Sequence, residues 1–121
     1  MDLFTESTRV LVCGGLAYTD SSRLWSVLNG LNGKYKFSVL IHGAAPGADT
    51  LAGQWADSMK IPVLRFPADW SQGPAGGPER NGRMLVVGKP DLVVWFGGDR
   101  GTRDMVQRAL DAKIEVIMGD A

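Results

Sequence analysis

The chain has 121 residues, 45% of them apolar and 21% charged, which suits a globular domain large enough to bury a core. Its 13 basic and 13 acidic side chains cancel, so a broad nucleic-acid footprint is disfavoured and a nucleic-acid partner is not expected. Cys13 is the single cysteine, which excludes an internal disulfide, and no apolar run approaches the ~20 residues of a membrane span.

Met1 to Glu6 lacks the basic flank and long apolar stretch of a leader, so a cytoplasmic protein is expected. Arg9 to Cys13 is a first apolar run, stopped by Gly14-Gly15. Asp20 to Ser22 then offer a helix cap before Leu24, Leu28 and Leu31, with Trp25 beside them. Phe37 to His42 is a second run, stopped by Gly43. Leu51, Trp55 and Met59 repeat every four residues and predict a second helix. Ile61 to Phe66 is a third run. Pro67 to Pro78 follows, with three prolines, three glycines and Trp70. Its length without periodicity marks it as a functional or mobile connection, and Trp70 as part of a lid. Met84 to Val87 form an apolar patch in a third helix. Asp91 to Phe96 is a fourth run, stopped by Gly97-Gly98. Met105, Val106, Ala109 and Leu110 make a helical stripe, and Ile114 to Met118 is a fifth run.

Strands apolar at successive positions suit a parallel sheet buried on both faces. Alternation with helices and right-handed crossovers predict an α/β fold: one Rossmann-like domain over residues 1–121, core about 9–118. Its five-stranded, mostly parallel sheet is ordered 3-2-1-4-5.

In such sheets ligands sit beyond the carboxyl ends of the strands where strand order reverses, here between the first and fourth strands. Both end in paired glycines, Gly14-Gly15 and Gly97-Gly98, which read either as a phosphate cradle or, for the first pair, as a tight turn. Gly101 and Thr102 extend the second loop. The loop from Gly43 to Gly47 lets backbone approach a ligand. Asp49 behind it bonds a sugar hydroxyl or the loop's own amides, or caps the helix. Arg80, Asn81 and Arg83 open the third helix. Arg80 and Arg83, three apart, either grip a phosphate or form a solvated face with Glu79. His42, the only histidine, and Cys13 read as structural, and no metal site or cofactor is indicated.

Four stretches together resemble the SLOG superfamily, and within it the small YspA-like, YpsA-related proteins. They are Val10 to Asp20, Ile41 to Ala56, Gly77 to Met84 and Phe96 to Val106. The resemblance implies a Rossmann-like fold, a site for nucleotides or nucleotide-derived ligands, and a setting near phage or other mobile elements. The superfamily includes LOG-type phosphoribohydrolases. Arg80 and Met84 match their Arg-to-Met spacing, and Gly98 to Thr102 approximates their glycine-rich loop. Asp99 replaces a loop glycine, Pro46 stands where close relatives tend to have Arg, and Met105 stands where those enzymes have their catalytic Glu. Asp104 points about 100° away from position 105 on an ideal helix.

The leading expectation is therefore a protein that binds a small nucleotide-like ligand as a sensor or sequestering agent. Gly14, Gly15, Gly43, Gly47, Gly97, Gly98, Gly101 and Thr102 would cradle it, with Asp49, Arg80, Asn81 and Arg83 contributing bonds. The alternatives are a nucleotide N-glycosidase with Arg80 and Asp104 (or Asp49 or Glu79) as catalytic residues, and single-stranded DNA binding like that of the DprA branch. A homodimer through the helices of Trp25 and Trp55 is expected, although core packing explains those residues equally well.

Overall fold

The computed structural model describes residues 7–120. The expectation about a leader in Met1 to Glu6 lies outside the described residues. The elements are β1 (Thr8–Gly14), α1 (Ser21–Tyr35), β2 (Phe37–His42), α2 (Ala48–Ser58), β3 (Val63–Arg65), a 3-10 turn (Trp70–Gln72), α3 (Gly76–Val86), β4 (Leu92–Phe96), α4 (Arg100–Asp111) and β5 (Glu115–Met118). The sheet order is β3-β2-β1-β4-β5, as expected, and every pairing is parallel. Among the described residues no helix is long and apolar enough to cross a membrane.

Alternation along the strands divides the core in two. Val10, Val12, Leu40, Leu92, Val94 and Phe96 pack with residues of α1 and α2, while Leu11, Cys13, Ile41 and Val93 pack with Met84 of α3 and Met105 and Ala109 of α4. The central strands are therefore buried on both faces, which is why they read as unbroken apolar runs.

Local chemistry sets the element ends. Asp20 caps α1 by accepting from the Arg23 amide at 3.0 Å. The third strand is shorter than the apolar run because the Ile61 amide closes α2 on the Ala56 carbonyl at 2.9 Å. The buried face of α2 is Ala48, Ala52, Trp55 and Ala56, and Met59 lies past the helix end, 44% exposed. A spacing of four drifts off a 3.6-residue period, so the expected stripe of Leu51, Trp55 and Met59 does not hold together. Trp55 is fully buried, edge-on to Phe37 at 6.0 Å, and its Nε1 donates to Asn29 Oδ1 at 2.9 Å. Core packing thus accounts for Trp55, and of the two tryptophans named for a dimer face only Trp25 is exposed.

Pro67 to Pro78 is not structureless. Asp69 accepts from the Ser71 amide at 3.0 Å, Gly73 N–H donates to the Trp70 carbonyl at 2.9 Å, and Gly76 N–H donates to the Gly73 carbonyl at 3.2 Å. The Trp70 ring, though 60% exposed, lies over Gly77, where an added Cβ would stand 3.0 Å from it.

Candidate functional site

The carboxyl ends of β1 and β4 meet where strand order reverses. Gly15 N–H donates to the Phe96 carbonyl at 2.9 Å, so the two glycine-rich loops leave the sheet together. Gly14 is a packing position, because a Cβ there would stand 2.1 Å from the Phe96 carbonyl oxygen and 2.7 Å from Ala48 Cβ. Gly15 and Gly98 have more room: a Cβ on Gly15 would come no nearer than 3.8 Å to the Gly98 nitrogen. Gly97 makes the turn at φ +67°.

The second loop already holds an anion. Asp99 is the N-cap of α4, and its Oδ1 accepts from the Thr102 amide at 2.9 Å and from Thr102 Oγ1 at 3.1 Å. Its Oδ2 accepts from the Leu16 amide at 3.3 Å, which ties the β1 loop to the β4 loop. Thr102, buried and expected to contact a ligand, spends its hydroxyl proton on this carboxylate. In the sequence Asp99 stands out only as a replaced glycine. The signal for its role was present in the sequence, since Asp three residues before Thr at a strand-to-helix junction is N-cap spacing.

A second carboxylate lies across the crevice. Asp49 is buried, and its Oδ2 accepts from the Gly43 amide at 2.9 Å and the Ala45 amide at 3.3 Å, so its bonds go to the loop's own amides. Burial pushes its carboxyl up to about 6, against the pull of those two amides and of the Arg80 charge. Gly47 begins α2 against the carbonyls of Gly15 and Leu16 and provides no side-chain cap.

Arg80 connects the loops. Its Nη1 donates to the Gly43 carbonyl, and to the Phe66 carbonyl at 3.4 Å, while its Nε donates to Asn81 Oδ1 at 3.0 Å. The guanidinium lies over Gly43, where any Cβ would strike it. Nη2 makes no hydrogen bond to the described residues. Backbone carbonyls leave no trace in a sequence, so these partners of Arg80 had no readable signal.

Asn81 is buried, and its Nδ2 donates to the Gly101 carbonyl at 3.2 Å and to Asp104 Oδ2 at 3.0 Å. Asp104 also accepts from Arg108 Nε at 2.8 Å. Partial burial pushes its carboxyl up, but the bonds from Asn81 and Arg108 outweigh this and hold it below its ordinary value. Asp49, Gly43, Arg80, Asn81, Gly101 and Asp104 thus form one network. Arg83 takes other partners: Glu79 at 2.8 Å and the Pro67 carbonyl at 3.2 Å. Met105 is 1% exposed and points into the core rather than the crevice. Cys13 is buried beneath the crevice, and burial, with the charges of Asp49 and Asp99, holds its thiol far above the ordinary value.

This arrangement can be set beside known proteins. A family model for YAcAr, the YspA, cpYpsA-related SLOG family, matches residues 8–73. The chain belongs to this family. The matched span carries β1, the β2 loop and Asp49, and ends before α3. The YAcAr chain is 34% identical to the Gene 61 protein of Mycobacterium phage D29, a match that covers 90% of this chain and 94% of the phage protein. The X-ray structure of DNA processing protein A (DprA) from Streptococcus pneumoniae superposes with a TM-score of 0.71 at 19% identity, over 91% of this chain and 49% of that one. The chain spans about half of that structure, and the likeness is one of fold.

Proposed function

We propose that this YAcAr protein binds a nucleotide or nucleotide-derived ligand over the carboxyl ends of β1 and β4, as a sensor or sequestering protein. The observation that carries the reading is the Asp99 carboxylate. Donors from two loops, the Leu16 amide and the Thr102 amide and hydroxyl, converge on one anion at the strand-order reversal. A phosphate oxygen has the same acceptor chemistry. Arg80 is the ligand's charge partner in this reading, through its unoccupied Nη2.

Base release is not part of the reading. Met105, in the core, cannot stand in for an acid, and Asp104 is held by Asn81 and Arg108. The test is mass spectrometry of small molecules released from purified protein, followed by calorimetry with linear and cyclic nucleotides. Arg80→Ala is expected to weaken binding about 10- to 100-fold, the loss of one charge-assisted contact. Free base accumulating during long incubation with nucleoside monophosphates would support the hydrolase instead.

A second reading, single-stranded DNA binding, is favoured by the likeness in fold to DNA processing protein A. Arg100 and Arg103, exposed in the first turn of α4, would meet the backbone. Salt-dependent binding of an oligonucleotide, with no binding of any nucleotide, would decide for it.

A further inference from the structure

The glycine crevice leaves unexplained a hollow of about 230 Å³ on the flank of α2 that faces β3. It is lined by His42, Thr50, Gly53, Gln54, Asp57 and Arg65. His42 and Arg65 are partners in the β2–β3 register, so both side chains lie on the same side of the sheet, under α2.

His42 is 3% exposed. Its Nδ1 accepts from the Ala44 amide at 2.9 Å, so in the neutral ring the proton sits on Nε2. Nε2 has no hydrogen-bond partner among the described residues. Gly53 makes room for it, because a Cβ there would stand 2.9 Å from Nε2. Burial, together with the Arg65 charge, lowers the imidazole to about 4, so at neutral pH this is an uncharged N–H donor.

Two opposite charges line the same space without pairing. Among the described residues the ion pairs are Arg83 with Glu79 and Arg108 with Asp104, and neither Arg65 nor Asp57 takes part. A plain anion entering the hollow would face Asp57, and a plain cation would face Arg65. A ligand that carries both charges satisfies both walls.

We propose that this hollow is a second binding site, distinct from the crevice, for a small zwitterion of amino-acid type. The carboxylate takes the Arg65 guanidinium and the His42 Nε2–H, the ammonium takes Asp57, and Gln54 meets the side chain. A volume of about 230 Å³ suits a molecule of that size.

The experiment follows backbone amide shifts of the labelled full chain during titration with each of the twenty common amino acids. Acetate, inorganic phosphate and methylamine serve as single-charge controls. At least one amino acid is expected to shift Ala44, Gly53 and Gln54 saturably, while the controls leave them in place. Arg65→Gln and Asp57→Asn, both at exposed positions, are each expected to weaken that binding about 10- to 100-fold. Gly53→Ala, whose added methyl would stand 2.9 Å from His42 Nε2, is expected to abolish it, with its other spectral changes confined to the surroundings of His42 and Ala44. Failure of every amino acid to move these amides overturns the proposal. So does saturation by acetate or phosphate that tightens in Asp57→Asn, which would make the hollow an anion site. Nucleotide titrations report on the crevice separately, so either site can fail without the other.

Discussion

Two loops at the carboxyl end of the sheet each close on a carboxylate of their own, and they do so in different ways. In the β2–α2 loop, Asp49 is buried and one oxygen serves two loop amides beneath Arg80. In the β4–α4 loop, Asp99 is only partly buried, and its two oxygens reach one donor residue on its own helix and one amide on a neighbouring loop. Asp49 is therefore a keystone of the frame. Asp99, in the reading proposed above, is a plug that an incoming anion would displace from the Leu16 and Thr102 donors.

The largest expected effect comes from an acid placed where no donors wait. Met105→Glu would set a carboxylate among Leu11, Cys13, Ile41 and Met84, in a cluster that contains no amide or guanidinium aimed at it. A buried charge without a partner costs about 3–5 kcal/mol, so this variant should be unfolded or barely folded at 25 °C. Met105→Leu, close to volume-conserving, should lose less than about 1.5 kcal/mol. Urea melts of the pair check this. A stable Met105→Glu protein would mean that the side chain reaches the crevice, and the resemblance to phosphoribohydrolases would gain weight.

Asp49 is next. Asp49→Ala leaves the Gly43 and Ala45 amides without an acceptor and should cost about 3 kcal/mol. Asp49→Asn should match the parent near pH 4 and be the more stable of the two at neutral pH, because both amides already share a single oxygen and the side-chain amide carries no charge to bury. The pH dependence separates the two carboxylates further. Burial pushes the Asp49 carboxyl up to about 6 in the folded chain, against an ordinary value of 3.8. Between these values the folded chain holds a proton that the unfolded chain has released. The contribution of Asp49 is therefore fully present below pH about 4 and lost as pH rises through about 6, a change of about 3 kcal/mol. Asp49→Asn should remove that part of the stability profile. An unchanged profile in the variant would show that Asp49 titrates normally and is no keystone.

Asp99→Ala should behave in the opposite sense toward ligands. Losing the cap and the bridge to Leu16 should cost about 1–2 kcal/mol of stability. The freed donors should let inorganic phosphate raise the melting temperature of Asp99→Ala more than that of the parent chain. Equal protection of the two proteins would place the anion elsewhere and would leave Asp99 as a cap alone.

The sequence carried the frame well and the site only in part, and the reason is physical. Central strands such as β1 and β4 are buried on both faces, so their runs are apolar throughout and stop at glycine, and right-handed crossovers then restrict the order. β3 is shorter than its apolar run because Ile61 is apolar for a different reason: it seals the end of α2. Arg80, Asn81 and Asp49 stand out in the sequence as charged and amide residues beside glycine-rich loops, and the structure joins them in one network. Their partners do not stand out, because the Gly43, Phe66 and Gly101 carbonyls look like any others. A lone histidine at a strand end reads as structural, and the bond that His42 Nδ1 accepts from the Ala44 amide is structural, but which nitrogen faces the hollow depends on packing against Gly53.

The smallest expected effect concerns Trp70, which covers the start of α3 on the side that delivers Arg80 to the keystone loop. Its ring lies against Gly77 and 60% of it remains exposed, so Trp70→Ala should lose only about 1 kcal/mol of global stability. The change should instead appear locally. Amide exchange across residues 67–78 should speed up, while that of Gly43 and Ala45, which Asp49 holds, should stay as it was. If the segment acts as a lid, a crevice ligand should slow exchange there in the parent chain and have much less effect in Trp70→Ala. Faster exchange at Gly43 in the variant would show that the two regions open together. The keystone loop would then depend on its cover, and the contrast between a fixed Asp49 frame and a displaceable Asp99 plug would have to be redrawn around α3.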